Sequence, residues 1–379
     1  MTKNKETIQA GRPLRVLISG GGTGGHIFPA LSIADAIRKK YPDSEVLFVG
    51  ADNRMEMKRV PAAGYEIIGL PVAGFDRRRL WRNVKVLFKL WKSMRMARRV
   101  VRDFNPDIAI GVGGYASGPT LKAAQKAGVP TLLQEQNSYP GVTNKLLAKN
   151  AAAICVAYPG LEKFFPADKI VMTGNPVRSA ILHPGVSKDK AREILGFKAD
   201  TPLVLVTGGS LGARTLNDAM IGAMLDGNMG RAPFQVLWQC GGADAERCKA
   251  VTEGRLPDNI KLTDFISNMA EAYCAADLVV ARAGAGTISE LELLGKPAIL
   301  VPSPNVAEDH QRHNAEALAM RGAADMVLDA DAGKKLWDDI DTIVNNPETL
   351  ALMSSNISAM ALRNSAERIV EEVEKVVGR

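Results

Sequence analysis

Short apolar runs rich in β-branched residues recur along the chain. Most are followed by a glycine-rich loop and then by a stretch with helical periodicity. The first half contains RVLISGGG, EVLFVGAD, DIAIGVGGYASGP and PTLLQEQN, and the second half contains PLVLVTGGSLGAR, QVLWQCGG, LVVARAGAGTISEL and PAILVPSP. Strands that alternate with helices predict parallel sheets covered by helices on both faces.

The pattern predicts an α/β protein with two domains, which a chain of 379 residues is long enough to form. Each half opens with a strand, a glycine-rich turn and a helix, at residues 15–40 and 203–222. We therefore expect two doubly wound, Rossmann-like domains that face each other across a cleft. The junction is predicted within TGNPVRSAIL, residues 173–182, because Asn175 precedes Pro176 and is disfavoured in a helix. The loops at the carboxyl ends of the strands should form the ligand site.

Composition narrows the protein class. Hydrophobic residues make up 46% of the chain and charged residues 23%, as in ordinary globular proteins. The four cysteines form no CxxC motif and histidines number only four, which favours reduced thiols in a cytosolic protein and argues against a metal centre. The N-terminal MTKNKETIQAGRPL lacks the apolar segment of a signal peptide. No apolar run approaches the roughly 20 residues of a membrane-spanning helix.

Positive charge is concentrated in one segment. The net charge is +7, yet residues 77–102 contain eleven Lys and Arg and no acid. The rest of the chain is slightly acidic, which argues against general nucleic-acid binding. At helical spacing this segment is amphipathic. It fits either a helix that packs its apolar face on the domain, or a patch that docks on an anionic membrane, where cations contribute about 1 kcal/mol each. The candidate membrane patch comprises Arg78, Arg79, Trp81, Arg82, Lys85, Phe88 and Trp91.

The first glycine loop, GGGTGGH at residues 20–26, is ambiguous by itself. Its glycines satisfy the dinucleotide pattern GxGxxG, but Asp52 is poorly placed to hold a ribose, and no Lys-Ser/Thr pair follows as in a nucleotide-triphosphate loop. Backbone N–H groups at a helix N-terminus still make an anion site. A tight turn without a ligand is the alternative.

His26 lies in the first turn of the helix that follows this loop. The positive helix end favours the neutral imidazole, which is the form that a general base requires. A purely structural histidine is the alternative.

Three motifs in the second half carry further candidate chemistry. GGSLGAR, residues 208–214, repeats the anion loop and adds Ser210 and Arg214. In RAGAGTISEL, residues 282–291, Glu290 either accepts ribose hydroxyls or is a first-turn acid favoured by the helix dipole. The polar cluster in NVAEDHQRHNAEAL, residues 305–318, suits hydrogen bonds to a sugar better than a metal.

These motifs carry a resemblance to a known family. GGGTGGHIFPALSIA, GGYASGP, EQN, GNPVR, GGSLGAR, RAGAGTISELELLGKPAILVPSP and DHQRHNA occur in the order seen in the MurG family of bacterial transferases, glycosyltransferase family 28. The resemblance runs from about residue 14 to the C-terminus. It implies the GT-B architecture. Residues 1–175 with about 362–379 would bind the acceptor and membrane, and residues 176–361 would bind UDP-GlcNAc.

The resemblance also implies a reaction. GlcNAc would pass from UDP-GlcNAc, with inversion, to the 4-hydroxyl of undecaprenyl-diphosphate-linked MurNAc-pentapeptide in peptidoglycan synthesis. No cofactor, metal or nucleic acid is implied, and the protein would lie on the cytoplasmic face of the inner membrane, against its anionic inner leaflet. Another UDP-sugar enzyme of this architecture, such as a UDP-GlcNAc 2-epimerase, is the main alternative. A nicotinamide oxidoreductase and a non-catalytic membrane adaptor are more distant ones.

Site residues follow from the same resemblance. His26 matches the family's proposed base. The donor would be bound by Thr23, Gly25, Asn137, Arg178, Ser210, Ile266, Glu290 and Gln311. The acceptor diphosphate would be held by Gly21, Gly22, Thr23, Gly24, Gly113, Gly114 and Tyr115. Arg312 and His313 depart from some relatives.

Overall fold

The computed structural model describes residues 12–72, 83–209, 212–306 and 309–379. The chain forms two compact units. The first comprises Met1–Arg178 with Leu362–Arg379, and the second comprises Ser179–Ala361.

The first unit is built on a seven-stranded parallel sheet with the order β3-β2-β1-β4-β5-β6-β7. Its strands are β1 (Arg15–Ser19), β2 (Glu45–Ala51), β3 (Glu66–Leu70), β4 (Ile108–Gly111), β5 (Thr131–Glu135), β6 (Ala153–Val156) and β7 (Ile170–Met172). Its helices before the second unit are α1 (Gly24–Lys40), α2 (Glu56–Ala62), α3 (Asn83–Phe104), α4 (Ser117–Lys126) and α5 (Val142–Ala148), with a 3₁₀ turn at Ala167–Lys169.

Alternate residues of β1 enter two separate cores, because successive strand side chains point to opposite faces. Val16 and Ile18 pack in the cluster that contains Ile33 of α1. Leu17 packs in the cluster that contains Ala97 of α3. Helices therefore cover both faces of the sheet, which explains the continuous apolar runs in the sequence.

The second unit repeats this plan with a six-stranded parallel sheet of order β10-β9-β8-β11-β12-β13. Its strands are β8 (Leu203–Thr207), β9 (Gln235–Gln239), β10 (Ile260–Thr263), β11 (Leu278–Ala281), β12 (Ala298–Leu300) and β13 (Asp325–Met326). Its helices are α6 (Ser179–Leu182), α7 (Lys188–Ile194), α8 (Arg214–Leu225), α9 (Asn228–Arg231), α10 (Ala245–Thr252), α11 (Met269–Ala275), α12 (Ala285–Leu294), α13 (His310–Ala319), α14 (Ala332–Val344) and α15 (Pro347–Ala359), with a 3₁₀ turn at Asp329–Asp331.

The last helix, α16 (Ser365–Val377), belongs to the first unit and packs on α1. Ile369 and Val373 are fully buried in the same core as Ile33. The carboxylate of Glu374 accepts hydrogen bonds from the Lys40 ammonium, at 2.8 Å, and from the Tyr41 hydroxyl. The chain thus returns to the first unit after completing the second.

In both sheets the strand order reverses beside the first strand of the unit. The switch lies between β1 and β4 in one sheet and between β8 and β11 in the other. The prediction of two doubly wound, Rossmann-like α/β domains is confirmed. Ligands of such sheets bind outside the carboxyl ends of the strands at these switch points.

Candidate active site

The first glycine loop connects β1 to α1 at the switch point of the first sheet. Gly21 and Gly22 have φ angles of +149° and +89°, in the region that favours glycine. At Gly20 an added Cβ would lie 2.1 Å from the Val112 side chain, so the loop and the end of β4 are in close contact. Thr23 is extended at the N-cap of α1, where the helix exposes its unpaired N–H groups. These groups make an anion-binding helix end.

The His26 imidazole is held from its Nδ1 side. Nδ1 lies 3.2 Å from the carbonyl oxygen of Gly21 and 3.2 Å from Oγ1 of Thr23. A carbonyl oxygen only accepts hydrogen bonds, so the arrangement favours the tautomer with the proton on Nδ1. In that tautomer Nε2 carries the lone pair. Nε2 borders Gly113, where an added Cβ would lie 2.8 Å away.

The loop after β4 lies against the first glycine loop. Gly113 and Gly114 have φ angles of +95° and +86°, and a Cβ on Gly114 would lie 2.4 Å from the Gly21 carbonyl oxygen. Ser117 fixes this contact, because its Oγ lies 2.7 Å from the Ser19 carbonyl oxygen and 2.8 Å from that of Gly113. Tyr115 is exposed. The structure thus brings together the two loops that were predicted to hold the acceptor diphosphate.

Glu56 touches the same loop, although sequence reasoning did not single it out. It is the first residue of α2 and only 1% exposed. Both of its carboxylate oxygens lie 3.1 Å from the Gly22 nitrogen, and Oε1 also lies 3.0 Å from the Ala51 nitrogen. The Gly22 N–H is therefore already donated to a protein carboxylate. An acid shortly after the apolar run of β2 was the only sequence signal.

Asn137 follows β5 and is held by Glu135. The Glu135 carboxylate accepts from the Asn137 side chain at 3.3 Å and from Asn144 Nδ2 at 2.9 Å. It also accepts from the backbone N–H groups of Asn137 and Gly141, both at 3.1 Å. Burial raises the pKa of Glu135, and these hydrogen bonds oppose the rise. Sequence reasoning missed Glu135, although it lies within the EQN motif.

Arg178 ends the first unit and packs within it. Its guanidinium lies 4.2 Å from the ring centroid of Phe28 on α1, in cation–π geometry. Arg178 is predicted to bind the donor. Its contact with Phe28 positions it beside α1, the helix that carries both Phe28 and His26.

The second glycine loop joins β8 to α8. The Gly212 N–H donates to the Gly209 carbonyl at 2.9 Å. The Gly209 N–H donates to Thr207 Oγ1 at 3.1 Å, and Gln239 Nε2 donates to the Gly209 carbonyl at 3.1 Å. Ser210, predicted to contact the donor phosphates, lies outside the described residues.

The other residues predicted to bind the donor lie after β10, β11 and β12 of the second sheet. Ile266 is buried in the loop that follows β10. The Tyr273 hydroxyl donates to Glu290 Oε2 at 2.9 Å and thereby orients this acid on α12. Gln311 is the second residue of α13, and its Oε1 accepts from the Ser303 N–H at 2.9 Å. Because the strands are parallel, these loops share one edge of the second sheet.

Two residues beside Gln311 interact within α13. Arg312 Nε donates to Glu316 at 2.8 Å, and His313 Nδ1 lies 3.5 Å from the same carboxylate. Within the described ranges no group of three or more His, Cys, Asp or Glu could hold a metal ion.

The candidate membrane patch is partly described. Phe88 and Trp91 of α3 are 65% and 58% exposed, with ring centroids 6.1 Å apart. Ser93 and Ala97 form the buried side of the helix. Arg78, Arg79, Trp81, Arg82 and the Lys85 side chain lie outside the described part of the chain. No helix among the described residues is both long enough and apolar enough to span a bilayer.

Two Rossmann-like units, each with a glycine-rich loop at the switch point of its sheet, form the architecture of GT-B glycosyltransferases. The chain belongs to glycosyltransferase family 28. Residues 16–156 match the family's N-terminal domain and residues 203–369 match its C-terminal domain. The resemblance inferred from the motifs is thereby confirmed, and the protein is an enzyme that transfers a sugar.

Particular relatives extend over nearly the whole chain. The UDP-N-acetylglucosamine--N-acetylmuramyl-(pentapeptide) pyrophosphoryl-undecaprenol N-acetylglucosamine transferase of Parabacteroides distasonis is 55% identical over 371 residues, covering 97% of this chain and 100% of the relative. The crystal structure of Acinetobacter baumannii MurG is 31% identical with a TM-score of 0.75, covering 96% of this chain and 100% of that one. A UDP-GlcNAc 2-epimerase from Neisseria meningitidis has a TM-score of 0.68 at 14% identity, covering 96% of this chain and 100% of that one, and shares the fold alone.

Proposed function

We propose that this enzyme transfers GlcNAc from UDP-GlcNAc to the 4-hydroxyl of MurNAc in undecaprenyl-diphosphate-linked MurNAc-pentapeptide, a step of peptidoglycan synthesis. The observation that carries the proposal is the 55% identity, over the full length of the Parabacteroides distasonis relative, to a transferase named for this reaction. The geometry at His26 supports it, because a sugar hydroxyl needs a base to become a nucleophile.

The mechanism is a single inverting displacement. The acceptor 4-hydroxyl attacks the anomeric carbon of GlcNAc from the face opposite UDP, so a C1–O4 bond forms as the bond from C1 to the UDP oxygen breaks. The hydroxyl proton passes to Nε2 of His26, whose Nδ1 is oriented by the Gly21 carbonyl and by Thr23. UDP leaves with the bonding electrons, and the product is a β-1,4-linked disaccharide.

The donor binds mainly to the second unit. Glu290, held by Tyr273, accepts hydrogen bonds from the ribose hydroxyls. Ile266 contacts the uracil, Gln311 hydrogen-bonds the sugar, and Ser210 binds phosphate. The positive end of α8, a twelve-residue helix, stabilises charge that develops on the departing UDP. Thr23, Gly25, Asn137 and Arg178 supply the donor contacts of the first unit.

The acceptor diphosphate binds at the N-terminus of α1 and the loop after β4. The N–H groups of the N-cap Thr23 and of Gly24, the first helical residue, have no partner within the helix and suit an anion. Gly113, Gly114 and Tyr115 complete this site. Gly21 and Gly22 contribute through backbone shape, since the Gly22 N–H is donated to Glu56.

Peripheral attachment to an anionic inner leaflet completes the proposal. Phe88 and Trp91 extend from α3 within a segment rich in cations. Aromatic side chains favour the headgroup region, and cations add attraction to anionic lipid. The cytoplasmic face of the inner membrane is the location where the lipid-linked acceptor and UDP-GlcNAc are both accessible.

A transfer assay with UDP-GlcNAc and a short-chain analogue of the lipid acceptor tests the reaction. The parent should form the disaccharide lipid, and His26→Ala should lose about 100- to 10,000-fold in kcat while still binding UDP. His183→Ala, an exposed histidine of the second unit, serves as the matched control and should behave like the parent. Epimerised UDP-sugar without transfer to the lipid would contradict the proposal. A loss of less than tenfold in folded His26→Ala would exclude His26 as the base.

A further inference from the structure

We propose that Glu56 is a positioning residue that acts on His26 through the Gly21–Gly22 peptide group. Its carboxylate fixes that peptide so that the Gly21 carbonyl holds the His26 proton on Nδ1, leaving Nε2 as the base. We call the Glu56 carboxylate, the Gly21–Gly22 peptide group and the His26 imidazole the relay. The assignment rests on the proposed function of His26.

One side of the relay is a buried carboxylate that accepts the peptide N–H. Glu56 is 1% exposed, and both oxygens lie 3.1 Å from the Gly22 nitrogen. The Ala51 N–H, 3.0 Å from Oε1, holds the carboxylate in place. The side chain, held by the Ala51 N–H and closed off from solvent, therefore fixes the direction of the Gly22 N–H.

The other side of the relay is the carbonyl of the same peptide. Gly22 N–H and Gly21 C=O belong to one planar unit, and a trans peptide points them in opposite directions. No cis peptide bond occurs in the described ranges. Fixing the N–H on Glu56 therefore aims the carbonyl at His26 Nδ1, 3.2 Å away. Hydrogen bonds at both ends of a peptide polarise one another, which strengthens the carbonyl as an acceptor.

The packing of the Glu56 side chain against Gly21 and Gly50 explains why the first glycine loop needs Glu56 as a hydrogen-bond partner. A Cβ on Gly21 would lie 2.1 Å from Glu56 Oε1, and one on Gly50 would lie 2.6 Å from Glu56 Cγ. The carboxylate thus fills the volume that side chains would occupy at both glycines. A peptide between two glycines rotates with little steric resistance, so its orientation depends on its hydrogen-bond partners.

The relay moves no proton to Glu56. During transfer the acceptor proton binds Nε2, Nδ1 keeps its own proton, and the imidazolium faces the polarised Gly21 carbonyl. The Thr23 hydroxyl, also 3.2 Å from Nδ1, is compatible with either tautomer because it both donates and accepts. Of these two Nδ1 partners, only the carbonyl selects one tautomer.

Nitrogen-15 NMR of the full chain labelled at histidine tests the relay directly. The His26 signals are assigned by their absence in His26→Gln. In the parent, where the ring is neutral, Nδ1 should carry the proton. In Glu56→Gln the amide group presents a donor to the Gly22 or Ala51 N–H, so the peptide loses its fixed orientation. We expect mixed tautomers and a fall in kcat of at least about tenfold, with KM for UDP-GlcNAc within about twofold of the parent.

Glu372→Gln is the matched control. Glu372 is another buried acid of the first unit, located on α16 and paired with Lys375. This variant should keep the parent tautomer and kcat. If the neutral His26 of the parent carries its proton on Nε2, the relay is overturned. This measurement needs only the parent protein, so it does not depend on whether a variant folds. A folded Glu56→Gln with the parent tautomer overturns it equally.

Failure of the proposed function looks different. If His26→Ala retains turnover while Glu56→Gln still mixes the tautomers and leaves kcat unchanged, His26 is not the base and the catalytic role of the relay is refuted with it. If His26→Ala loses turnover and Glu56→Gln matches the parent in both readouts, the base assignment stands and only the relay is overturned.

Discussion

Gly113 borders the His26 imidazole so closely that any side chain at this position must displace the ring. In Gly113→Ala the new Cβ would lie 2.8 Å from both Nε2 and Cδ2. We expect kcat to fall about tenfold or more while UDP binding is kept, because small displacements of a positioned catalytic group are costly. Steady-state kinetics with the short-chain acceptor and UDP titration measure the two effects.

Gly128→Ala provides the control for backbone strain. Gly128 also has a positive φ angle, +78°, but a Cβ there meets no atom within 4 Å. Both variants should lose about 1–2 kcal/mol of stability from the left-handed conformation. Only Gly113→Ala should lose turnover. Equal kcat values in the two variants would remove the argument that Gly113 shapes the catalytic site.

Glu292 gives the second unit a pH-dependent stability. Burial raises its pKa to about 8, against the lowering effect of Arg321. The folded state therefore favours the neutral acid. The contribution of Glu292 to the free energy of unfolding is fully present below pH 4.5 and is lost as pH rises through 8. Glu292→Gln stays neutral and should exceed the parent in free energy of unfolding by roughly 5 kcal/mol at pH 9, and by little at pH 4.5. Denaturant titrations at the two pH values measure this.

The comparison at each pH also isolates Glu292 from Lys296. Burial lowers the pKa of Lys296 to about 8, so the contribution of Lys296 to the free energy of unfolding rises with pH above 8. Parent and variant share this contribution, so it cancels when the two are compared at one pH. Glu348→Gln, at an exposed position of α15, should match the parent at both pH values. A pH-independent gain in Glu292→Gln would mean that packing, not ionisation, explains it.

The motif residues were predictable one by one, while their partners were not. Glycine loops and His26 stand out locally in the sequence. Glu56 does not, because it reaches the Gly22 N–H only through the register of β1 and β2, which pairs Ser19 with Val49 and brings the loops after both strands side by side. Tyr273 reaches Glu290 from a separate helix in the same way. Sequence spacing alone does not specify such tertiary pairs.

At the scale of elements, helix α3 carries the described part of the candidate membrane patch. Its two exposed aromatics lie on the side opposite Ser93 and Ala97. We expect Phe88→Ser/Trp91→Ser to bind anionic vesicles at least about tenfold more weakly, since partial burial of each ring in the headgroup region is lost. Activity on a soluble short-chain acceptor should be kept. Co-sedimentation with vesicles of graded anionic content measures the binding.

A control for lost surface hydrophobicity is Leu225→Ser/Leu352→Ser, at exposed leucines of the second unit. It should bind vesicles like the parent. Replacing Arg78, Arg79, Arg82 and Lys85 with Ser tests the charge contribution, and should remove most of the salt-sensitive binding. Parent-like binding by both the aromatic variant and the Arg/Lys variant would mean that the segment is a solvated surface.

Four of the five strands that sequence patterns missed have a physical feature in common. All eight apolar runs form strands, as predicted. Of the five others, four are the sheet edges, β3, β7, β10 and β13, and they are mostly half-exposed. An edge strand needs fewer apolar residues and so gives a weak signal. The fifth, β6, is buried but lacks a glycine loop after it.

At the scale of the whole molecule, the tryptophans allow one unit to be observed separately. Trp238 is fully buried, and Trp337 packs on Phe234 with ring centroids 5.5 Å apart, both in the second unit. In a Trp81→Phe/Trp91→Phe background, fluorescence reports only this unit. UDP at 100 times its Kd should stabilise the fluorescence-detected transition by about 2.7 kcal/mol. Thermal or urea unfolding with and without UDP measures the shift.

Glu290→Ala in the same background should show a much smaller shift at the same UDP concentration, because it loses a hydrogen bond to a charged group of about 1.5–3 kcal/mol. An unchanged transition in the parent at saturating UDP would contradict donor binding to the second unit.

The return of α16 to the first unit sets an order of events during synthesis of the protein. The ribosome completes residues 179–361, a contiguous and self-contained segment, before it makes the helix that the first unit requires. At the usual pace this interval lasts roughly 10 to 40 s. Until then Ile33 and its apolar neighbours on α1 lack the cover that Ile369 and Val373 provide. The nascent chain therefore finishes its second unit first, and the incomplete first unit is the stage at which chaperones would be most needed.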